Sequence, residues 1–460
     1  MPSVNLYQQS NELTQMKKDI FYTISVLLGF IICLTAYPQN RNDNPFSSLD
    51  SPNLNTVLSK VLKTYPTLQK ARTAIEASEE KINLARSAYH PYVDVNASYS
   101  RIGPVPEINF PPYGEFKLFP ENNYSASVNY HQNLYDFGKT ASRVELEAQN
   151  RKLADLNYSL TQQALSMQTI NLFYSLVYIQ NALSIKEQQL INLRELVDFT
   201  KKKMETGSST NFELLTTQVK LSATESQITD LHSTKTHELS VLSSLLDSLV
   251  SDSVNFSQKF ISEPFNGEQQ ELINKALDQR EELKSAMEDK NLSLIQYNIA
   301  RSQNRPDLGI YALAGEKNGY VPEIEKIRFN YAAGLSFNIP VYDGAREKSR
   351  LALARTGMIM ADDDLDLAKR KVVNEVVESY SNLKSAWSKI NQFQLQEKMA
   401  SEAYSLAKVN YQAGAITNLD LLNAETNLSD SRLMLLKSRI DYVLSLYILK
   451  MSIGEKLFEY

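Results

Sequence analysis

Three groups of side chains in this sequence could do chemistry. His232 and His237 could ligate a metal, but they stand five apart, and a pair sharing one helical face stands three or four apart. The run "ADDDLDL" (361–367) could gather cations, yet on a helix it reads as a solvated acidic face. Glu213 and Asp420 form the third group. Each follows a Thr-Asn pair, in "GSSTNFELL" (207–215) and "GAITNLDLL" (414–422), where a carboxylate in the first helical turn stabilises the N-terminus. His90 and His131 fall at strand ends, the methionines are scattered, and the chain has no phosphate-binding glycine loop and no nucleophile elbow. These residues point away from an enzyme and from any cofactor or bound metal.

The elements that would carry them belong to a water-compatible, helix-rich chain. It has 460 residues, 43% hydrophobic, with a net charge of −5; mean hydropathy is −0.34 and the pI about 5.7. An acidic chain without a basic tract is not a nucleic-acid binder. Only 14 glycines suggest long helices, and 25 tyrosines suit strands or a membrane interface. The single apolar run, "MKKDIFYTISVLLGFIICLTAYPQ" (16–39), has a basic start at Lys17-Lys18 and ends in Thr35-Ala36. It reads as a signal peptide starting at Met16, with an N-terminal membrane anchor as the other reading. Cys33 is the only cysteine, which excludes intrachain disulfides and thiolate metal sites. Its one functional reading is lipid attachment, although Ile32 precedes it where a lipoprotein signal places a small residue.

The chain is written twice. "NLYDFGK" (133–139) returns as "IPVYDGAR" (339–346), and at the same offset of 207 "GSSTNFELL" falls on "GAITNLDLL". Upstream the offset is 215: Ala85-Arg86-Ser87 falls on Ala300-Arg301-Ser302, and Pro91 on Pro306. The extra residues of the first copy belong in "GPVPEINFPPYGEFKLFPE" (103–121), whose five prolines read as a loop.

Each copy opens with a helix, broken at Pro66 in the first. The period then changes to two. Val93, Val95, Ala97 and Tyr99 alternate with Asp94, Asn96, Ser98 and Ser100; Tyr124, Ala126, Val128 and Tyr130 alternate with small polar residues, giving a hairpin of strands about ten residues long. Leu308, Ile310, Ala312 and Ala314, then Tyr331, Ala333, Leu335, Phe337 and Ile339, repeat it. This is the pattern of an outer-membrane barrel, and equally of a half-buried soluble sheet; the signal peptide and the tyrosines at strand ends favour the membrane. From Lys139 to about Thr206 proline and glycine are absent, and from Arg346 to Ala413 proline is absent and Gly357 is the one glycine. Each stretch makes a rod of roughly 100 Å. Leu176, Leu183, Leu190 and Val197 are spaced by seven, with Leu172 and Ile179 between, as in a coiled-coil seam. Gly207 and Gly414 end the rods, and a second helix runs back from each.

Four strands cannot close, and hydrocarbon accepts only closed barrels. Membrane strands in this number require sister chains in a symmetric ring, and three chains would supply twelve. The repeated Tyr-Asp phrase then marks where barrel wall becomes helical wall.

In the order and duplicated spacing of "YPTLQKA", "ARSAYHPYVDVNASY", "NLYDFGK", "IPVYDGAR", "ETGSSTNFELL", "QAGAITNLDLL" and "LKMSIGEKL", residues 50–456 resemble the TolC family of outer-membrane efflux ducts. The resemblance implies a mixed α+β membrane protein, mostly α and internally duplicated. Four transmembrane strands per chain would join a twelve-stranded trimeric barrel continuous with a long α-helical tunnel in the periplasm. It implies a signal segment in 1–37, repeat one at 50–250, an equatorial linker at 251–267 and repeat two at 268–456. The β-hairpins fall at about 91–134 and 306–340, and the helical hairpins at 138–250 and 345–450. The implied function is the passive exit duct of a tripartite export system for drugs, metals or proteins, a homotrimer fed by an inner-membrane pump through a periplasmic adaptor. The adaptor would meet the tips at Gly207, Ser208, Thr210, Gly414, Ala415 and Thr417. The tunnel would be shut there by Asp420 and Glu213, at acidic positions, and Tyr411, at an aromatic linker. Asn423 stands where some members have a second constriction aspartate, and Ile416 where some have an arginine, so a double acidic ring is not expected. Three Asp420 side chains would still favour cations. A reading of another class, an exported coiled-coil scaffold or adhesin, shares the signal and heptads but has no use for the alternating hairpins.

Overall fold

The computed structural model describes residues 53–458 apart from Tyr113, 257–259 and 261–262. The signal peptide, its Met16 start and Cys33 lie outside the described residues. The chain runs α1 (Leu54–Thr64), α2 (Pro66–Arg86), β1 (Tyr92–Arg101), β2 (Glu107–Phe110), β3 (Gly114–Lys117), β4 (Asn122–Tyr135), α3 (Lys139–Glu205) and α4 (Asn211–Leu246). It continues with α5 (Gln269–Gln279), α6 (Glu281–Ser302), β5 (Asp307–Lys317), β6 (Arg328–Asn338), α7 (Arg346–Gln412) and α8 (Asn418–Ser452). Leu54 to Gln269 and Tyr92 to Asp307 each span 215 positions; Lys139 to Arg346 and Asn211 to Asn418 each span 207. Helices α3 and α7 are both 67 residues long.

The first helical break follows from Pro66 at the first helical position, with Tyr65 extended before it. The second has no proline. Arg280, 215 positions on, takes the same conformation (φ −61°, ψ 124°) because its guanidinium is buried and held by Glu375 (2.7 Å), Glu282 (2.8 Å) and the carbonyl of Ser452 (3.1 Å). The insertion at 103–121 is not only a loop. β2 and β3 pair in it from Glu107 opposite Lys117 to Phe110 opposite Gly114, since its prolines all stand outside these two short strands.

The main sheet is antiparallel, in the order β1-β4-β5-β6. Its register aligns the apolar positions of both copies in rows: Val95, Val128, Ala314 and Tyr331 in one, Val93, Tyr130, Ala312 and Ala333 in the next. This face is open to the surroundings, with Val95 73% and Tyr331 78% exposed. On the other face Asp94 accepts from Asn129 (2.9 Å) and Asn96 (2.6 Å). β4, between two neighbours, extends to 14 residues; β6, with a neighbour on one side only, stops at Asn338, short of Ile339 and of the Tyr342 that mirrors the end of β4. At both passages from strand to helix an aspartate caps the helix. Asp136 accepts from the amides of Gly138 (3.0 Å) and Thr140 (2.7 Å), and Asp343 from that of Glu347 (2.8 Å).

The core sits at mid-length of the helical layer. α1 packs Val57, Leu58 and Val61 against Ile170, Phe173 and Leu176 of α3, Leu242 and Leu246 of α4, and Phe256. Repeat two matches this with Leu272, Ala276 and Leu283 against Val372, Val376 and Leu383 of α7 and Tyr442 and Leu449 of α8. Side chains tie the linker down: Gln180 brackets Val254 and Phe256, while the hydroxyls of Tyr442 and Tyr380 donate to the carbonyls of Glu263 and Gly267. Across the layer α4 packs on α3, α3 on α8 and α8 on α7.

The seam of α3 departs from the leucine spacing. Leu172, Leu176, Ile179 and Leu183 are buried, but Leu190 and Val197 are only half-buried. The buried line passes instead through Lys186, Leu193 and Thr200, with Ala182, Gln189 and Leu196 beside it. The heptad is kept, but polar residues occupy it, and a search for leucines alone slips one position. The acidic run 361–367 is solvated except at Leu365, which is buried, and Asp362 pairs with Lys290 (2.6 Å).

Candidate functional site

Both helical hairpins end in the same turn. Gly207 (φ 76°) and Gly414 (φ 77°) are left-handed. Beyond them Ser208 N–H donates to the Lys203 carbonyl (2.7 Å) and Ala415 N–H to that of Asn410 (2.8 Å). A Cβ at either glycine would meet nothing within 4 Å, so the backbone angle rather than space requires glycine. Gly207, Ser208, Thr210, Gly414, Ala415 and Thr417 are all exposed.

The helices restart on threonine. Thr417 forms a full capping box: its hydroxyl accepts from Asp420 N–H (3.2 Å), while the Asp420 carboxylate accepts from Thr417 N–H (3.0 Å) and its hydroxyl (2.6 Å). The hydroxyl and amide of Thr417 hold the Asp420 carboxyl below its ordinary pKa. At the first tip Thr210 accepts from Glu213 N–H (3.2 Å), but the longer Glu213 side chain takes its hydrogen bond from Ser209. Asp420 and Asn423 are exposed three residues apart on α8, while Glu213 is half-buried. Asn418 joins the tips, donating to the carbonyl of Glu213 (3.2 Å) and the hydroxyl of Thr217 (2.8 Å); its own Oδ1 is buried and receives no hydrogen bond.

Tyr411 packs behind these acids, within reach of the charge of Glu213. It is 4% exposed, in a cluster with Leu193, Leu196, Leu421 and Leu422. Its ring lies edge-on to Phe199 with centroids 5.8 Å apart, and Lys203 Nζ stands 4.4 Å above it while donating to its carbonyl (3.2 Å). Its hydroxyl meets that of Thr200 (3.4 Å), and burial raises its pKa. Tyr411 therefore ties α7 to α3 within one chain.

Deeper in the same seam lies a buried polar layer. Lys186 donates to Gln189 (2.9 Å) and Ser429 (3.2 Å), Ser429 to Gln189 (2.9 Å), and Gln189 to Glu425 (2.7 Å). Burial pushes the Glu425 carboxyl up, against the hydrogen bonds from Gln189 and Asn192 that lower it; burial also pushes the Lys186 ammonium down, against nearby Asp430 and Glu425. A cavity of about 180 Å³, lined by Phe199, Tyr404, Tyr411 and Glu425 among others, separates this layer from the tip.

The structure thus brings Glu213 and Asp420 to neighbouring helix starts bridged by Asn418, sets Asn423 beside Asp420, and buries Tyr411 behind them in the α3–α7 contact. Sequence reading missed Lys203, Asn418 and the Lys186–Gln189–Glu425–Ser429 layer. Their one signal was a charged or amide residue standing on the heptad line. Chemically, the tip offers exposed carboxylate to cations and hydrogen-bonded ties between helices. Among the described residues no group of three His, Cys, Asp or Glu is placed to hold a metal.

The model of the outer membrane efflux protein family matches residues 57–247 and 272–455. The chain is 24% identical over 435 residues to the outer membrane protein TolC of Salmonella enteritidis, covering 89% of this chain and 83% of that one. It is 22% identical over 388 residues to the alkaline protease secretion protein AprF of Pseudomonas aeruginosa, covering 83% and 80%. Among solved structures, the Campylobacter jejuni CmeC outer membrane channel superposes with a TM-score of 0.73 at 18% identity, covering 92% of this chain and 91% of that one. The open state of the Neisseria gonorrhoeae MtrE outer membrane channel gives 0.73 at 15% identity, covering 92% and 95%.

Proposed function

The chain belongs to the outer membrane efflux protein family, and from that premise we propose how it works as an outer-membrane exit duct for efflux or type I secretion. Three copies assemble. Their open four-stranded sheets complete a twelve-stranded barrel, and their helices continue it as a periplasmic tunnel, with the equatorial stretch at 251–267 between the repeats. Transport is passive, and an inner-membrane pump and periplasmic adaptor deliver the cargo. The adaptor docks on the exposed tip residues Gly207, Ser208, Thr210, Gly414, Ala415 and Thr417. Asp420, with Asn423 and Glu213 beside it, lines the constriction, and Tyr411 holds the helices that carry it.

One observation carries this reading: a sheet with apolar rows across all four strands and no partner on the outer side of β1 or β6 among the described residues. In hydrocarbon such edges leave amides and carbonyls unpaired unless sister chains close them. The mass of the protein extracted from outer membranes in mild detergent tests it. A detergent-bound particle of three chains is expected; a detergent-free monomer in the soluble fraction would sink it and favour a scaffold.

A further inference from the structure

We infer that the seam of α3, α7 and α8 holds a binding site for a small organic cation, a protonated amine on an apolar body the size of one ring. The site is the cavity of about 180 Å³ between the buried polar layer and the tip, with Glu425 as its anion and Phe199, Tyr404 and Tyr411 as its aromatic walls. All of these residues belong to one chain, so the site is complete without a second copy.

Glu425 is buried and makes no ion pair among the described residues. Its carboxylate takes hydrogen bonds from amides alone, from Gln189 on Oε2 (2.7 Å) and from Asn192 on Oε1 (3.4 Å). Buried charges in proteins are paired with opposite charge. Lys186 stands in the same layer but spends its hydrogen bonds on Gln189 (2.9 Å) and Ser429 (3.2 Å). Asn192, the partner of the weakly bonded oxygen, is itself a wall of the cavity. At the mouth, exposed Glu195 and Lys408 pair (3.4 Å) and cancel. With Glu425 ionised, the lining therefore carries one net negative charge. Tyr404 is touched by both carboxylates: burial and the charges of Glu425 and Glu195 push its hydroxyl up to about 12, so it stays neutral beside a bound cation.

The rings suit an ammonium. That of Lys203, which is not part of the cavity wall, already lies 5.2 Å from the Phe199 centroid and 4.4 Å from that of Tyr411. A metal ion does not fit, because Leu193, Leu196 and Leu421 supply apolar wall where a hard cation needs about six oxygens. A cavity of roughly 150 Å³ holds benzene, so this one has room for a ring and its ammonium. The duplication does not repeat this chemistry. Shifted by 207 positions, Glu425, Tyr404 and Tyr411 fall on their images Gln218, Val197 and Met204, and Phe199 on Leu406. The repeated backbone thus demands neither the carboxylate nor the rings.

The test titrates benzylamine, and benzyl alcohol as its neutral counterpart, into the full-length protein in detergent at about pH 8, followed by calorimetry. Saturable uptake of benzylamine is expected, about tenfold tighter than that of benzyl alcohol. Glu425→Gln should weaken benzylamine about tenfold and Phe199→Leu about threefold. Glu402→Gln, which removes an exposed carboxylate from the same stretch of α7, should leave it within about twofold. No saturable binding, equal affinity for benzyl alcohol, full affinity in folded Glu425→Gln, or an equal loss in Glu402→Gln overturns the proposal. Should Glu425→Gln not fold, hydrogen exchange of the wild type decides. Protection of amides 192–199 and 404–412 by benzylamine supports the site; no protection, or protection confined to 418–421 beside the exposed Asp420, overturns it.

Discussion

The tips at Gly207 and Gly414 are one turn made twice, set beside different neighbours. The backbone is the same in both: a left-handed glycine, a backbone hydrogen bond closing the last turn, and a threonine N-cap three residues on. The side chains are not. Asp420 completes a capping box where Glu213 reaches to Ser209; Asn418 is buried against α4 while its image Asn211 is exposed; Tyr411 is locked on α3 where its image is Met204. Duplication kept the residues that the local chain path demands. It let side chains diverge where one copy meets its own chain and the other faces outward.

The largest expected asymmetry lies at Tyr411. Tyr411→Ala should cost about 3 kcal/mol of local stability, because it empties a packed site. Met204→Ala should cost under about 1 kcal/mol, as at a site without deep packing. Hydrogen exchange of the amides of 404–412 and 197–205 measures both, and equal losses would erase the difference between the seams. Next come the glycines. Gly207→Val and Gly414→Val should each cost about 1–2 kcal/mol, since each forces a β-branched residue into the left-handed region, and each should weaken adaptor cross-linking. Unequal costs would show that the two turns are not one. The caps should then separate the tips more finely: Thr417→Ala about 1.5 kcal/mol and Thr210→Ala about 0.5 kcal/mol, because only the first dismantles a reciprocal box.

The smallest effects belong to Asp420. Its folded pKa is depressed, so its stabilisation is present above the unfolded carboxyl pKa and is lost as pH falls through the folded value, below about pH 4. Exchange protection of amides 418–421 should fall in that acid window in the wild type and show no such step in Asp420→Asn. Asp420→Ala should also weaken divalent-cation block of the reconstituted pore; an unchanged block would remove Asp420 from the constriction.

Much of this fold was legible because its signals are local. A stretch of nearly seventy residues without proline or glycine is one helix; a glycine followed by Thr-Asn and an acid is a turn and a restart; alternation over ten residues is a strand. The misses have physical causes. The break at Arg280 comes from distant acids and a carbonyl, not from a proline. The β2–β3 hairpin hid between prolines that only flank it. β6 ends early because Asn338 already faces the first residue of β5, Asp307, and Pro340 just beyond has no amide hydrogen to extend the ladder. The polar seam escaped because buried Lys186 and Glu425 are tolerable only when Gln189, Ser429 and Asn192 reach them, partners as far as 243 residues away in sequence.

By itself the sequence determined the duplication, the lengths of the rods, the positions of the tips and the family, because backbone dihedrals and hydrophobic period are set by neighbouring residues. The tertiary structure alone decided that Tyr411 finds Thr200, Phe199 and Lys203 of α3 as its partners, and that Glu425 is buried while its image Gln218 is exposed. Burial and pairing depend on which distant helix lies alongside, and neither composition nor spacing records that.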